Sequence, residues 1–235
     1  MRLEGHPRAV AVAEVLLCSS VPTQYAGGAL LAAAGWLPFD GTGQLTLAFV
    51  LALSVADTIL LIGLMVVLTR AHHERVAELW LGPRRFRPEA LYGALLIPAV
   101  FLLVVVLMNA MRMAAPWLHN VPTNPLERLA GTPAEAALFA LVAILAGGVR
   151  EELQRAFLLR RFERHLGGAG VGVVVLSIGF GLGHFVQGWD AVVTTGLLGA
   201  LWAVVYLRRR SAVAPIVSHA GFNAIEVLRV AVWGQ

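Results

Sequence analysis

Apolar stretches of about 18 or more residues recur from one end of this chain to the other, which restricts its fold more than any single motif does. Each is long enough to cross a hydrocarbon layer roughly 30 Å thick. Backbone N–H and C=O groups find no water there, so such stretches must close their hydrogen bonds within helices. Of the 235 residues, 58% are apolar and only 14% charged, a balance that excludes a soluble domain with a polar surface. The expected fold is all-α, a polytopic transmembrane helix bundle of about seven spans. The spans are placed at about Ala9–Leu37, Leu45–Thr69, Ala90–Met111, Ala134–Leu159, Ala169–Val186, Ala191–Leu207 and Ala212–Trp233. A kink is expected at Pro22. Two regions follow: N-terminal helices over 1–133 and a second region over 134–235.

The start of the chain, Arg2 and Arg8 before an apolar run, imitates a cleaved signal peptide. Glu14 interrupts the apolar centre, and Leu16-Leu17 precede Cys18 where a lipoprotein cleavage site needs a small residue, so an uncleaved first helix is expected. Cys18 is the single cysteine, which rules out an intrachain disulfide. The basic residues are all arginine and cluster at span ends: Arg70 to Arg87 after the second span, Arg160, Arg161 and Arg164 after the fourth, Arg208–Arg210 after the sixth. The intervening loops hold few, so the positive-inside bias puts the N-terminus in the cytoplasm. The net charge of +4 therefore reflects membrane topology, and no nucleic-acid partner is implied. The basic segment at about Arg70–Pro88 is expected to lie on the cytoplasmic leaflet as an amphipathic helix or loop. Its His72-His73 pair makes a poor chelator, since neighbours on a helix diverge by about 100°. Asn120–Pro133 reads as an external loop. Trp36, Trp117, Trp189 and Trp233 near span ends read as interfacial anchors.

Ionisable groups inside a bilayer cost several kcal/mol, so each prompts a functional hypothesis. Three groups stand out, all in the second region. In Gly147-Gly148-Val149-Arg150-Glu151-Glu152-Leu153-Gln154-Arg155, two adjacent carboxylates in a low dielectric resist ionising together, which would raise one of them into the range of a general base. Arg155 is placed to reach either carboxylate. In Phe180-Gly181-Leu182-Gly183-His184, glycines at 179, 181 and 183 permit close helix approach around His184. In His219-Ala220-Gly221-Phe222-Asn223, the i, i+4 spacing puts His219 and Asn223 on one face, with Glu226 seven residues after His219 on the same face. Glu14 and Asp57 are expected to line a substrate-access cavity or to pair with each other, and Thr58 and Asn109 to bond between helices.

Glu-Glu with a nearby Arg, then Phe-x-x-x-His, then His-x-x-x-Asn, each on its own late helix, resembles the ordered pattern of the CPBP family of CAAX-type prenyl proteases and bacteriocin-processing or immunity proteins. The resemblance covers about Ala134 to Trp233. The family usually places Arg five residues after the first Glu, whereas this chain has Ala156 there and Arg155 one position earlier. The resemblance implies an intramembrane endopeptidase acting on a membrane-associated protein or peptide, with lipidated substrates known among relatives. It implies that Glu151 with His184 activates a water, that His219 and Asn223 stabilise the oxyanion, and that Glu152 supports them. Arg155, Phe180 and Glu226 are supporting candidates. Metal-free catalysis is the preferred expectation. Glu151, His184 and His219 also form a workable Zn²⁺ ligand set with an open position. The rival readings are a non-proteolytic peptide-binding, immunity or scaffold protein and a proton-coupled transporter. The expected location is a bacterial cell membrane, as an integral multi-pass protein.

Overall fold

The computed structural model describes residues 7–233 and is all-α, apart from one isolated bridge between Phe39 and Leu45. Arg2, invoked in reading the N-terminus, lies outside the described residues. The helices are α1 (Pro7–Leu17), α2 (Val21–Ala33), α3 (Leu47–Ala71), the short α4 (Val76–Trp80), α5 (Phe86–Ala114), α6 (Pro133–Val142), α7 (Glu151–His165), α8 (Ala169–Leu182), α9 (Trp189–Arg209) and α10 (Val213–Trp233). Between α6 and α7 the helix continues without a break through a π-helical stretch, Ala143–Arg150.

Helices α3, α5 and α9 are each long and apolar enough to cross a membrane, and α1 with α2, bent by 40°, qualifies as a pair. The protein is an integral membrane protein. Of the other expected spans, α8 is apolar but only 14 residues long, the fourth is divided among α6, the π stretch and α7, and in α10 the polar motif lowers the hydropathy. The first span breaks at Cys18–Ser20, with Ser20 in the left-handed region at φ 69°, while Pro22 sits harmlessly in the first turn of α2. Outward faces of α3, α5 and α8 carry exposed Leu60, Val67, Leu95, Val106 and Val174, the surface lipid would cover.

The arginine-rich end is closed by packing. Within the expected surface helix or loop over Arg70–Pro88, the five residues of α4 form a short helix that tucks under the bundle. Leu79 is buried, the Trp80 indole donates to Leu153 O at 3.1 Å, and the Ala212 amide donates to Trp80 O at 2.7 Å. The Tyr206 hydroxyl donates to Leu79 O at 2.9 Å. Gly82 lies so close to Arg210 that a Cβ there would fall 1.8 Å from its carbonyl oxygen. Arg161, fully buried, reaches Glu14 and Glu74, both at 2.9 Å. Glu14 thus pairs with Arg161 and with His72 rather than with Asp57. Thr58 and Asn109 bond to carbonyls of their own helices, Ser54 O and Val105 O, instead of bridging helices.

Candidate active site

The π-helical stretch and α10 form the floor of the site. Both glycines of the Gly147-Gly148 pair are occupied by close approach: a Cβ on Gly148 would lie 2.5 Å from the Cβ of Ala220, and one on Gly147 would lie 2.4 Å from Asn223 Nδ2. Only glycines admit α10 this closely, and that contact brings His219 and Asn223 alongside Glu151 and Glu152. The wide π turn re-aims the residues that follow it, and such turns concentrate at functional sites. Of the glycines around His184, Gly181 makes the close approach, to Val192 O and Gly196 on α9. Gly179 meets nothing. The pair that seats α10 is therefore 147–148, while Gly181 seats α8 on α9.

Glu151 and Glu152 diverge around α7 and take different partners. Glu152 is fully buried, accepts from Arg155, and lies 2.8 Å from His219 Nδ1. Glu151 Oε2 stands 3.9 Å from the other ring nitrogen, Nε2, of the same imidazole. That separation is too long for a direct hydrogen bond and leaves room for a bridging molecule. Each carboxylate faces a different guanidinium: Arg155 lies against Glu152, and Arg150, which also pairs with Asp57, lies 3.2 Å from Glu151. Arg155 reaches Glu152 alone among the two, and its guanidinium lies 4.7 Å over the Phe180 ring.

The expected span reaching to Val186 stops short: α8 ends at Leu182 and His184 sits in the turn after it. There its Nδ1 pairs with Phe180 O at 2.8 Å, satisfying a carbonyl of the helix end. A neutral ring bonded in this way carries its proton on Nδ1, which leaves Nε2 as an acceptor. Phe180 packs edge-on against both His184 and His219. Asn223 donates one Nδ2–H to Ala143 O at 3.2 Å, at the first residue of the π stretch. Glu226 takes Arg229 as its partner at 3.1 Å. Glu151, His184, His219, Asn223 and Glu226 line one cavity of about 620 Å³, from which the carboxylate of Glu152 is screened behind His219.

Trp202 and Arg150 carried no role in the sequence reading, and Asp57, expected to line an access cavity or to pair with Glu14, takes another partner. Trp202 stacks on His219, with ring centroids 3.8 Å apart and planes 16° from parallel. Its position in mid-span, away from any interface, was the available signal. Arg150 and Asp57 form a buried ion pair at 2.7 Å, and Arg150 also donates to Ser20 Oγ at 2.6 Å and to Glu151. Asp57 further accepts from Thr23 and from Gln24. An intramembrane carboxylate and a motif arginine signal a pair only when their helices are known to touch. As for a metal, no group of three His, Cys, Asp or Glu among the described residues comes together to hold one. His219 Nε2 and Glu151 face each other without a third donor, and His219 Nδ1 is already committed to Glu152.

Residues 133–225 match the family model of Rce1-like type II CAAX prenyl endopeptidases. The match bears out the resemblance drawn from the three motifs. The Rce1-like segment contains Glu151, Glu152, Arg155, Phe180, His184, His219 and Asn223, and stops one residue short of Glu226. It also contains Arg150 and Trp202 but neither Ser20 nor Asp57, so the buried ion pair joins the Rce1-like segment to helices outside it. No curated protein and no solved structure matches the chain.

Proposed function

We propose that the protein is an intramembrane endopeptidase that hydrolyses a peptide bond of a membrane-associated protein or peptide in a bacterial cell membrane. The observation that carries this reading is the line Arg155–Glu152–His219, whose free Nε2 edge faces the Glu151 carboxylate inside a cavity shared with His184 and Asn223. Hydrolysis requires a base, an oxyanion donor and a water held away from bulk solvent, and these residues supply each.

Glu151 takes a proton from a water that also donates to His184 Nε2, and the oxygen adds to the scissile carbonyl. The second Nδ2–H of Asn223 donates to the resulting oxyanion. His219 presents Nε2 to the same site, and Glu152 holds its ring through Nδ1. Collapse of the tetrahedral intermediate breaks the C–N bond as Glu151 returns its proton to the leaving amine. Catalysis proceeds without a metal in this scheme, which the separate guanidinium partners of the two carboxylates favour. Glu152 is a positioning residue, because it acts through His219.

Glu151→Gln and His184→Ala are expected to abolish turnover in a folded, membrane-inserted protein. Comparing membrane and peptide proteomes of wild-type and Glu151→Gln cells reads this directly: precursor polypeptides should accumulate in the variant. Cleavage at the normal rate by either variant would refute the mechanism. Elemental analysis of purified active protein tests the metal-free scheme, which a stoichiometric metal required for activity would overturn.

A further inference from the structure

The position of the cavity relative to the arginines bears on which side of the membrane supplies the substrate. The cavity runs from Glu151 and His219 to the end of the bundle formed by the α5–α6 connection and the turn before α9, where His119, Asn124, Glu127, Gln187 and Asp190 wall it. That connection is fastened down: His119 pairs with Asp190 at 2.7 Å, Asn120 accepts from the Trp189 amide at 2.9 Å, and Asn124 donates to Gln187 at 3.3 Å. None of the arginine-rich segments, 70–88, 160–164 or 208–210, contributes to the wall. At their end the bundle is shut by α4, by the buried Arg161 with Glu14 and Glu74, and by the indole of Trp80 on Leu153. Short arginine-rich loops stay in the cytoplasm. The end toward which the cavity extends therefore belongs to the opposite face.

We propose that the site is served from the extracytoplasmic face, so that its substrate is a polypeptide segment exposed outside the cytoplasm, such as the outer juxtamembrane stretch of a membrane protein or an exported peptide. The substrate half of this inference rests on the endopeptidase reading; the orientation half stands on the cavity and the arginines alone. A cytosolic C-terminal tail meets the closed, ion-paired end of the bundle, whereas an external segment meets the end toward which the cavity extends.

Cys18 is the sole cysteine and is fully buried, so single added cysteines report cleanly. In intact cells treated with a membrane-impermeant maleimide, Thr123→Cys on the α5–α6 connection and Gln187→Cys in the cavity should be labelled. Arg87→Cys, exposed at the arginine-rich end, should react only after lysis. Labelling of Arg87→Cys in intact cells, or protection of Gln187→Cys while Thr123→Cys reacts, would overturn the proposed access. In the proteome comparison, termini that appear in wild type and vanish in Glu151→Gln should map to external segments. Sites mapping to cytosolic tails would overturn the substrate assignment even with the expected labelling. Expected labelling with no accumulated precursor at all would sink the peptidase reading, and the substrate class with it, while the orientation stood.

Discussion

In the proposed mechanism Glu152 serves packing and chemistry together. It receives Arg155 and His219 Nδ1 at once, and Trp202 holds the imidazole from its face. Glu152→Gln keeps the shape but removes the charge that balances both partners. Catalytic turnover, read as the rate of precursor loss after synthesis is stopped, should fall about 100-fold or more. Asp57 makes a different case. Removing one partner of a buried ion pair leaves the other charge uncompensated, at a cost of about 3–5 kcal/mol. Asp57→Ala should therefore lower the thermal unfolding midpoint in detergent strongly, and Arg150→Met on top of it should recover much of the loss. The recovered double variant should remain slow, since Glu151 has lost its guanidinium neighbour. Restored turnover would show that Arg150 has no part in positioning Glu151. At this scale the sequence displayed the right residue types but not their pairings: Glu14 with Arg161 and Asp57 with Arg150 join residues far apart in the chain, and no local spacing encodes them.

Among the elements, the π stretch and the glycine pair inside it set the distance between α10 and α7. Gly148→Ala drives a methyl into Ala220, and overpacking of this kind costs about 1–3 kcal/mol. The variant should fold with reduced stability and should lose turnover more than stability, because the displacement separates His219 from Glu151. Equal activity with an unshifted unfolding midpoint would show that α10 tolerates the methyl. The sequence made the helices themselves legible, since long apolar runs have one solution in lipid. It misplaced the break in the first span, where a proline drew attention from the left-handed Ser20, and it overran the end of α8, where an apolar tail after His184 imitates a continuing helix. It expected close approach at the glycines near His184, which Gly181 makes to α9 and Gly179 does not, since glycine content cannot say which neighbour a helix meets.

Across the whole molecule, the arginine-rich segments also lock the end of the bundle at which they gather. Glu163, near the end of α7, is clamped by Arg210 after α9, whose two guanidinium contacts at 2.6 and 2.9 Å hold its carboxyl below the usual range. A depressed carboxylate contributes stability above its unfolded pKa of about 4.3 and loses it as pH falls through the lower folded value. Wild-type protein in detergent should therefore lose some stability as pH falls below about 4, and Glu163→Gln should show a weaker dependence in that window. The effect should be small, because the pair is partly open to solvent. An acid profile unchanged by Glu163→Gln would place the sensitive groups elsewhere.

What the amino-acid sequence determined by itself was the solvent of the chain, its helical class, the ordered polar motifs and the family they resemble. Those follow from composition and local spacing, which lipid makes unusually decisive because it leaves backbone polar groups a single way to be satisfied. Only the tertiary structure decided that the two adjacent glutamates part company, that one imidazole lies between them, that helices outside the Rce1-like segment hold Arg150 beside Glu151, and that the cavity avoids the arginine-rich end. Each of these depends on which helix faces which, and that choice is made by close approaches and buried charge pairs between residues far apart in the chain.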